Sequence, residues 1–328
     1  MLSTIAITST ILISLMGTNY AMNISEIHWP SFQKFTKVHD RVYSSLDEFH
    51  KRFNIFVDNM NFAEEQNKKS TRMTLGITQY SDKTYDEFHH LFTKFGRPFH
   101  NTCDTFNSDN IDDSDSFDWR EQGGVTSVKD QGQCGSCWSF SAIGAMEGAW
   151  YILRKELIDL SEQQLVDCSK SYGNHGCNGG LMDNAFQYSI DNGVCGANDY
   201  PYTAEVDECE KCDVIASFSD CRDVSPNNEV DLKKAVFTSP VSIAIEADTR
   251  VFQLYTAGII TSESCGTNLD HGVLVVGYGE EDGVKYWIVK NSWGAGWGED
   301  GYVRIERTDD TNSEGICGVA MQPSFPIA

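Results

Sequence analysis

The chain has 328 residues, of which 40% are hydrophobic and 12% aromatic, enough for the packed core of one large domain or two ordinary ones. Its 48 acidic side chains outnumber its 25 basic ones, and the net charge is −23. This balance argues against binding to nucleic acid or to an anionic membrane surface, because both depend on clusters of Lys and Arg.

The first segment, residues 2–17, consists almost entirely of apolar and small hydroxyl residues. It is too short to span a bilayer, and we interpret residues 1–21 as a secretory signal peptide. An uncleaved anchor is the alternative, because no basic side chain precedes the apolar run. No later run approaches membrane-spanning length, so we expect no membrane association once the protein is mature.

Residues 23 to about 100 are predicted to form a separate helical unit. Within 47–67, apolar residues recur on one face of a helix, at Phe49, Phe53, Phe56, Met60 and Ala63. A second aromatic segment follows at 80–92. The acidic stretch 107–116 has no periodicity, so we interpret it as an exposed linker of the kind that proteases cut.

After the linker the pattern changes from helices to strands. We predict a long buried helix at 137–157 and shorter helices at 161–167 and 181–190. Strand-like segments then follow at 241–245, 272–278, 285–290 and 301–306. Helices first and strands second predict an α+β protein with two subdomains.

The segment QGQCGSCW at 131–138 places Cys137 at the start of the long helix. Unpaired backbone N–H groups and the helix dipole favour negative charge there, so they stabilise a thiolate nucleophile. Three alternatives exist for this cysteine. It could form a disulfide, or bind zinc together with the Cys209-x-x-Cys212 pair. A redox Cys-x-x-Cys motif would need surrounding βαβ units, which the sequence does not show.

Four separated motifs occur in one order: CGSCW at 134–138, CNGGLM at 177–182, LDHG at 269–272 and KNSWG at 290–294. They resemble those of the papain-like cysteine proteases, in particular the cathepsin L-like branch. The resemblance runs from about residue 48 to the C-terminus. It implies a papain-like fold with a helical left subdomain and an antiparallel, barrel-like right subdomain, preceded by a helical propeptide.

The resemblance also implies a cysteine endopeptidase that uses neither metal nor cofactor. Cys137 would attack the scissile carbonyl, His271 would keep the thiol ionised and protonate the leaving amine, and Asn291 would orient the imidazole. Gln131 would donate its side-chain amide to the oxyanion, beside the Cys137 backbone N–H. Trp293 would shield the hydrogen bond between His271 and Asn291 from water.

By position in the family, the substrate-binding residues are Gly179, Gly180, Leu181, Met182, Ala244, Leu269, Gly272, Trp293 and Gln322. Mostly apolar walls predict a hydrophobic or aromatic side chain at the second position before the scissile bond. Gln322 at the pocket floor would also accept a polar or basic side chain, unless it turns outward to solvent. The short interval between Cys168 and Cys177 leaves no room for the insertion that blocks the cleft in cathepsin B-like exopeptidases.

Eleven cysteines behind a signal peptide predict an oxidising compartment, and an odd number leaves at least one thiol unpaired. The resemblance leaves Cys137 reduced and implies three disulfides: Cys134 with Cys177, Cys168 with Cys209, and Cys265 with Cys317. For the cysteines outside the family pattern we expect, by proximity, that Cys212 pairs with Cys221 and Cys195 is free. Cys103 lies before the linker and receives no partner.

The N-terminal unit matches the ERFNIN pattern of cathepsin L-like propeptides at Glu48, Arg52, Phe56, Asn59 and Asn67, with Ala63 in place of the isoleucine. A companion GNFD-like segment starts at Gly76. The resemblance implies an inhibitory propeptide at 22–112 that lies through the cleft of a peptidase domain at 113–328. A cut near 112–116 would release it, and acid would assist by protonating carboxylates.

We therefore expect a monomeric zymogen of the secretory pathway, destined for a lysosome or vacuole or for the extracellular space. Its partners would be protein and peptide substrates and its own propeptide. A non-catalytic binding or storage protein on the same fold is the rival hypothesis. Proteins of that kind usually lose the nucleophile, whereas Cys137 and its three catalytic partners are all present here.

Overall fold

The structure is a computed structural model that describes residues 24–92, 103–261 and 264–328. The interpreted signal peptide lies outside these ranges, as do residues 93–102 of the expected propeptide. Within the described ranges, every helix is too short or too polar to cross a bilayer.

The N-terminal unit is built on the predicted amphipathic helix. It begins after Ser45, whose hydroxyl accepts a hydrogen bond from the Glu48 N–H at 3.1 Å. The apolar face of this helix packs on the preceding one, with the Phe32 ring centroid 5.1 Å from Phe53 and 5.3 Å from Phe56. The elements of this unit are α1 (Ile24–Val38), α2 (Leu46–Lys69), β1 (Met73–Leu75) and α3 (Tyr85–Phe92).

The linker residues 107–116 contain neither helix nor strand, as predicted. Two short strands flank them, β2 (Asp104–Thr105) and β3 (Phe117–Asp118). The linker is only partly detached from the fold, because the Ser108 hydroxyl donates to Asp231 at 2.6 Å and Asp113 pairs with Lys233 at 3.2 Å.

The left subdomain is organised around α4 (Cys137–Arg154), buried from Cys137 to Ala149. The helix ends three residues earlier than predicted, because Lys155 adopts a left-handed conformation. A Cβ at Gly148 would lie 2.4 Å from the Pro240 ring, so glycine is needed where the helix meets the sheet. The other elements here are α5 (Glu162–Cys168), a 3-10 turn (Ser169–Tyr172), α6 (Met182–Asn192), β4 (Val194–Cys195) and β5 (Val214–Ala216).

The right subdomain is a mostly antiparallel sheet that contains all four predicted strands. The elements are β6 (Asp220–Asp223), α7 (Glu229–Thr238), β7 (Val241–Ile245), α8 (Arg250–Leu254), β8 (Tyr255–Ile260), β9 (His271–Glu281), β10 (Val284–Lys290), β11 (Tyr302–Glu306) and β12 (Ser324–Ile327). The strand order is β1-β8-β11-β10-β9-β7-β12-β6-β2, and β3 pairs with β9. The sequence analysis did not predict α7, α8, β6, β8 or β12.

The expected extra disulfide between Cys212 and Cys221 is wrong, and Cys195 is not free. Cys212 pairs with Cys195, and Cys221 pairs with Cys103. Proximity in the sequence was a poor guide because a disulfide depends on Cα separation in space, and the observed pairs have Cα atoms 5.0 and 6.1 Å apart. The three disulfides implied by the resemblance are present, and Cys137 is the one free thiol of the eleven cysteines.

Candidate active site

The loop before α4 is fixed on two sides, which places Cys137 at the helix start. On one side a disulfide joins Cys134 to Cys177, and the Gly135 N–H donates to the Cys177 carbonyl at 3.1 Å. On the other, the Tyr202 hydroxyl donates to the Gln131 carbonyl at 2.8 Å and contacts the Ser136 hydroxyl at 2.6 Å. The thiol of Cys137 therefore has a defined position at the positive end of the helix.

His271 is brought to Cys137 by the first residues of β9. The next residue, Gly272, packs directly on the start of α4: a Cβ there would lie 3.2 Å from the Trp138 nitrogen and 3.3 Å from the Cys137 carbonyl carbon. Any larger residue would push the strand away from the helix. Glycine at this position thus sets how closely the two halves of the site approach.

Asn291 fixes the proton on the imidazole of His271. The two side chains meet at 2.7 Å, between Nε2 and Oδ1. The same Oδ1 accepts the Ser292 backbone N–H at 2.8 Å, which identifies it as the carbonyl oxygen of the amide. Nε2 must then be the donor, so the neutral ring carries its proton there and Nδ1 is the basic nitrogen.

Trp293 lies against this pair. Its ring centroid is 4.8 Å from that of His271, and its side chain is fully buried. A second indole, Trp297, packs edge-on against Trp293 at 4.9 Å. The two indoles cover one face of the imidazole, and the shielding role of Trp293 stays a prediction.

Gln131 is fully buried and its side chain is held at both ends. Its Nε2 donates to the Cys134 carbonyl at 2.9 Å, and its Oε1 accepts from the Ser292 hydroxyl at 2.7 Å. An amide nitrogen carries two protons, so one N–H remains for another acceptor. The sequence analysis missed Ser292, which has no signal of its own beside the Asn291 motif.

Burial opposes charge on both the Cys137 thiol and the His271 imidazole. It raises the pKa of the Cys137 thiol to about 11, although a hydrogen bond from the Gly272 backbone opposes the rise. It lowers the pKa of His271 to about 4 despite the bond to Asn291. Asp270, whose pKa burial also raises, disfavours the thiolate further. In the form described here the thiolate and imidazolium are both disfavoured at neutral pH.

The residues predicted to bind substrate lie around the start of α4 and α6. Gly180 packs on Trp138, since a Cβ there would come within 2.6 Å of the indole. Met182 and Ala244 are buried in the same apolar cluster as Trp138, and the half-buried Leu269 packs against it. Gln322 is half-buried two residues before Ser324, whose hydroxyl donates to Asp183 of α6 at 2.6 Å.

The N-terminal unit packs directly against Trp293. Tyr80 and Phe88 pack edge-on against Trp293, at centroid distances of 5.7 and 5.6 Å. Gln79 donates its side-chain amide to the Trp293 carbonyl at 2.5 Å. The sequence analysis had noted the aromatic character of this segment, yet no pattern in it specified a partner.

A strand and a set of amides anchor the same unit at a distance from the site. β1 pairs with β8, and the Thr78 hydroxyl donates to the Gln253 carbonyl at 2.6 Å. The side-chain amide of Gln253 donates in turn to the Tyr80 and Lys83 carbonyls. Asn59 of the ERFNIN pattern lies on α2 and donates to the Ser81 carbonyl at 2.9 Å. The bonds with Gln253 hold the segment 78–83 against the right subdomain, and the bond from Asn59 holds the same segment against α2.

Comparison with known families divides the chain in two. A model described as papain family cysteine protease matches residues 114–327, and one described as cathepsin propeptide inhibitor domain matches residues 32–88. The second match covers α2 and ends at Phe88, so it contains the segment that contacts Trp293.

Similar proteins carry both units. Probable cysteine protease RD21B of Arabidopsis thaliana is 42% identical over 97% of this chain and 74% of its own length. Cysteine proteinase RD21A of the same plant is 48% identical over 87% of this chain, which spans 63% of that relative. Among solved structures, digestive procathepsin L 3 of Tenebrio molitor larval midgut superposes with a TM-score of 0.84 at 39% identity, covering 92% of this chain and 99% of the other.

Proposed function

The chain belongs to the papain family of cysteine proteases and is the zymogen of a cysteine endopeptidase, and we propose that Cys137 is its nucleophile and His271 the base. The observation that carries this proposal is the 2.7 Å hydrogen bond between His271 and Asn291. His271 begins β9, the strand that packs against the start of α4. The hydrogen bond fixes the tautomer that leaves Nδ1 basic, which a proton acceptor for the thiol requires.

Hydrolysis then proceeds in two steps. The Cys137 thiolate attacks the scissile carbonyl carbon while the imidazolium of His271 gives its proton to the departing amine, leaving a thioester. A water molecule, deprotonated by the now neutral His271, attacks the thioester and releases the carboxylic acid and the Cys137 thiolate, which restores the thiolate and imidazolium. Asn291 keeps the ring oriented through both steps.

The oxyanion of each tetrahedral intermediate would accept two hydrogen bonds. One comes from the remaining N–H of the Gln131 amide and one from the backbone N–H of Cys137. The bond from Ser292 and the bond to the Cys134 carbonyl support this role, because they hold the Gln131 amide in one orientation. A donor that is already oriented needs no reorganisation in the transition state.

We propose that the N-terminal unit keeps the enzyme inactive by packing against Trp293 and burying the side chains of Cys137 and His271. In that state the thiol and imidazole are neutral, as their shifted pKa values indicate. Removing the unit would return water to the site and remove the desolvation that opposes charge, so thiolate and imidazolium could form together. Release of the propeptide and ionisation of the nucleophile would thus be one event.

For specificity we propose a preference for a hydrophobic or aromatic residue second before the scissile bond. The buried side chains of Met182 and Ala244 and the half-buried Leu269 support apolar walls. Gln322 would sit at the floor and accept a polar or basic side chain as well. The physiological substrates are proteins and peptides, and the enzyme acts as a monomer.

The division into a propeptide at 22–112 and a peptidase domain at 113–328 stays a prediction, as does the signal peptide at 1–21. The matched ranges 32–88 and 114–327 fall on either side of residue 112. Five disulfides support passage through an oxidising compartment, and we propose the secretory pathway with a lysosomal, vacuolar or extracellular destination.

The test is hydrolysis of a fluorogenic peptide with Phe or Leu second before the cleaved bond, after acid treatment with a mild thiol reductant. Wild type and Cys137→Ala are compared, and an epoxide thiol inhibitor is titrated into the wild type. Activity that disappears with the substitution and with one equivalent of inhibitor supports the proposal. A folded, processed and reduced wild type without activity contradicts it and favours the non-catalytic hypothesis.

A further inference from the structure

A disulfide crosses the boundary between the propeptide and the peptidase domain. It joins Cys103, on the N-terminal side of the linker, to Cys221 in β6, 118 residues later. Cys221 is fully buried and Cys103 is 9% exposed. The bond therefore ties the last part of the sequence-defined propeptide to the core of the catalytic domain.

The residues after Cys103 belong to the same sheet as Cys221. β2 pairs in parallel with β6, with Asp104 opposite Arg222. Just after β2, the backbone N–H of Phe106 donates to the Asp223 carbonyl at 2.8 Å. The Phe106 ring packs edge-on against Phe325 of β12, 5.4 Å between centroids. Backbone pairing and aromatic packing both attach this segment to the peptidase domain.

The attachment continues into the linker through helix α7. Lys234 donates to the Ser108 carbonyl at 3.2 Å, and the neighbouring Lys233 pairs with Asp113 at the same distance. The Ser108 hydroxyl donates to Asp231 on the same helix. We call residues 103–116 the strap, since they run over β6 and α7 from the disulfide to β3.

A cut within the strap would not free the inhibitor. The N-terminal fragment would remain bound through Cys103, and a tethered ligand experiences an effective concentration in the millimolar range. The fragment would re-form its contacts with Trp293 and β8 after each dissociation, because the disulfide prevents it from diffusing away. Buried disulfides also resist the mild thiol reductants that keep Cys137 reduced, because exchange requires access to a sulfur.

We propose that the productive activation cleavage falls on the N-terminal side of Cys103, so that the processed enzyme retains the strap as a disulfide-anchored N-terminal extension. Residues 103–112 would then travel with the peptidase domain instead of the propeptide. This inference rests on the proposed inhibitory role of the helical unit, but it concerns where the chain is cut and not whether the enzyme is active.

The first test is N-terminal sequencing and non-reducing intact mass of the acid-processed wild type. The expected product begins at or before Cys103 and keeps every residue of the strap. A product that begins within 107–116 overturns the proposal, whether or not a fragment stays attached through Cys221. If the enzyme proves inactive, the same product can be sought after processing of the chain by an added protease, which separates this result from failure of the proposed function.

The second test measures the tether itself. A site for a sequence-specific serine protease is inserted after Asn110, an exposed turn residue, in a Cys137→Ser chain that cannot process itself. After cleavage, non-reducing gel filtration at acidic pH should recover both fragments together. With Cys103→Ser and Cys221→Ser added, the fragments should separate.

The matched control is the double substitution Cys195→Ser and Cys212→Ser, which removes a disulfide that does not involve the strap. Its fragments should stay together after the same cut. Fragments of the Cys103→Ser and Cys221→Ser variant that stay together would contradict the proposal, because the disulfide would then not be what retains the inhibitor. If the Cys103 and Cys221 variant does not fold, the mass and N-terminus of the wild-type product still decide the question.

Discussion

Phe88 of α3 packs edge-on against Trp293, with 5.6 Å between their ring centroids, and the Trp293 ring centroid lies 4.8 Å from that of His271. The indole proposed to shield His271 is therefore also the side chain that the N-terminal unit contacts. Under the proposed roles, a change at Phe88 should weaken inhibition and leave the catalysis of the processed enzyme unchanged.

We expect Phe88→Ala to speed acid activation about tenfold at a given pH, since an aromatic pair contributes about 0.5–1.5 kcal/mol beyond its buried area. The rate is followed with a fluorogenic peptide added to the proenzyme. Tyr85→Ala on the same helix is the control, because Tyr85 is 44% exposed. Equal rates for the two variants would show that the Phe88 contact does not hold the propeptide.

Gln131→Ala should lower kcat about 10²–10³-fold with little change in KM, because it removes one donor to the oxyanion. Ser292→Ala should cost about tenfold, since Ser292 only orients that amide through the 2.7 Å bond. Ser292→Thr keeps the hydroxyl and should restore most of the activity. Steady-state kinetics on processed, active-site-titrated enzyme measure these effects, and an unchanged kcat in Gln131→Ala would contradict the assignment.

The buried thiol should react slowly in the proenzyme. A pKa raised to about 11 leaves little thiolate at pH 7, and the thiolate is the reactive species. Iodoacetamide should therefore modify Cys137 at least about 100-fold more slowly before processing than after it, and the proenzyme rate should rise with pH beyond 8. Mass spectrometry of the labelled chain measures both rates. Similar rates in the two forms would contradict coupling between release and ionisation.

Ionisation of Glu87 should make the stability of the proenzyme depend on pH. Burial raises the pKa of this carboxyl, but bonds from Arg52 at 2.5 Å and from the Thr84 N–H outweigh it, and the pKa is lowered overall. Its stabilisation is thus present above the unfolded pKa, near 4.5, and is lost as pH falls through the folded value. Glu87→Gln in a Cys137→Ser proenzyme should lower Tm at pH 7, and this deficit should shrink as the pH is lowered toward 3.

The control for this prediction is Glu65→Gln, which removes a fully exposed ion pair with Lys69 on α2. Its Tm should match that of the parent at every pH. A Glu87→Gln deficit that persists at pH 3 would indicate lost packing instead of lost charge.

Gln322→Glu should raise kcat/KM for Arg at the second position before the scissile bond about tenfold relative to Leu, because an acidic group at the pocket floor pairs with the guanidinium. Gln322→Leu should shift the preference the other way. Paired peptide substrates that differ only at this position measure the ratio. No change in either variant would place Gln322 on the surface, outside the pocket.

The missed elements show where local patterns are weak. Helix α7 is short, with 10 residues of mixed charge, and β8 contains a glycine, so neither gives a clear period. β8 depends on neighbours far along the chain, pairing with β1 of the propeptide and with β11. Such strands form because tertiary partners complete their hydrogen bonds, which no local window contains.

Local sequence was sufficient for what is fixed by short-range chemistry. The cysteine at a helix start, the amphipathic face of α2 and the strands around His271 each follow from patterns within a few residues, and motif order supplied the family. The pairing of Cys103 with Cys221, the support of Gln131 by Ser292 and the grip of Phe88 on Trp293 were decided only by the tertiary structure. Each joins segments more than 100 residues apart, and contacts at that range depend on how the sheet and helices pack, which no run of neighbouring residues encodes.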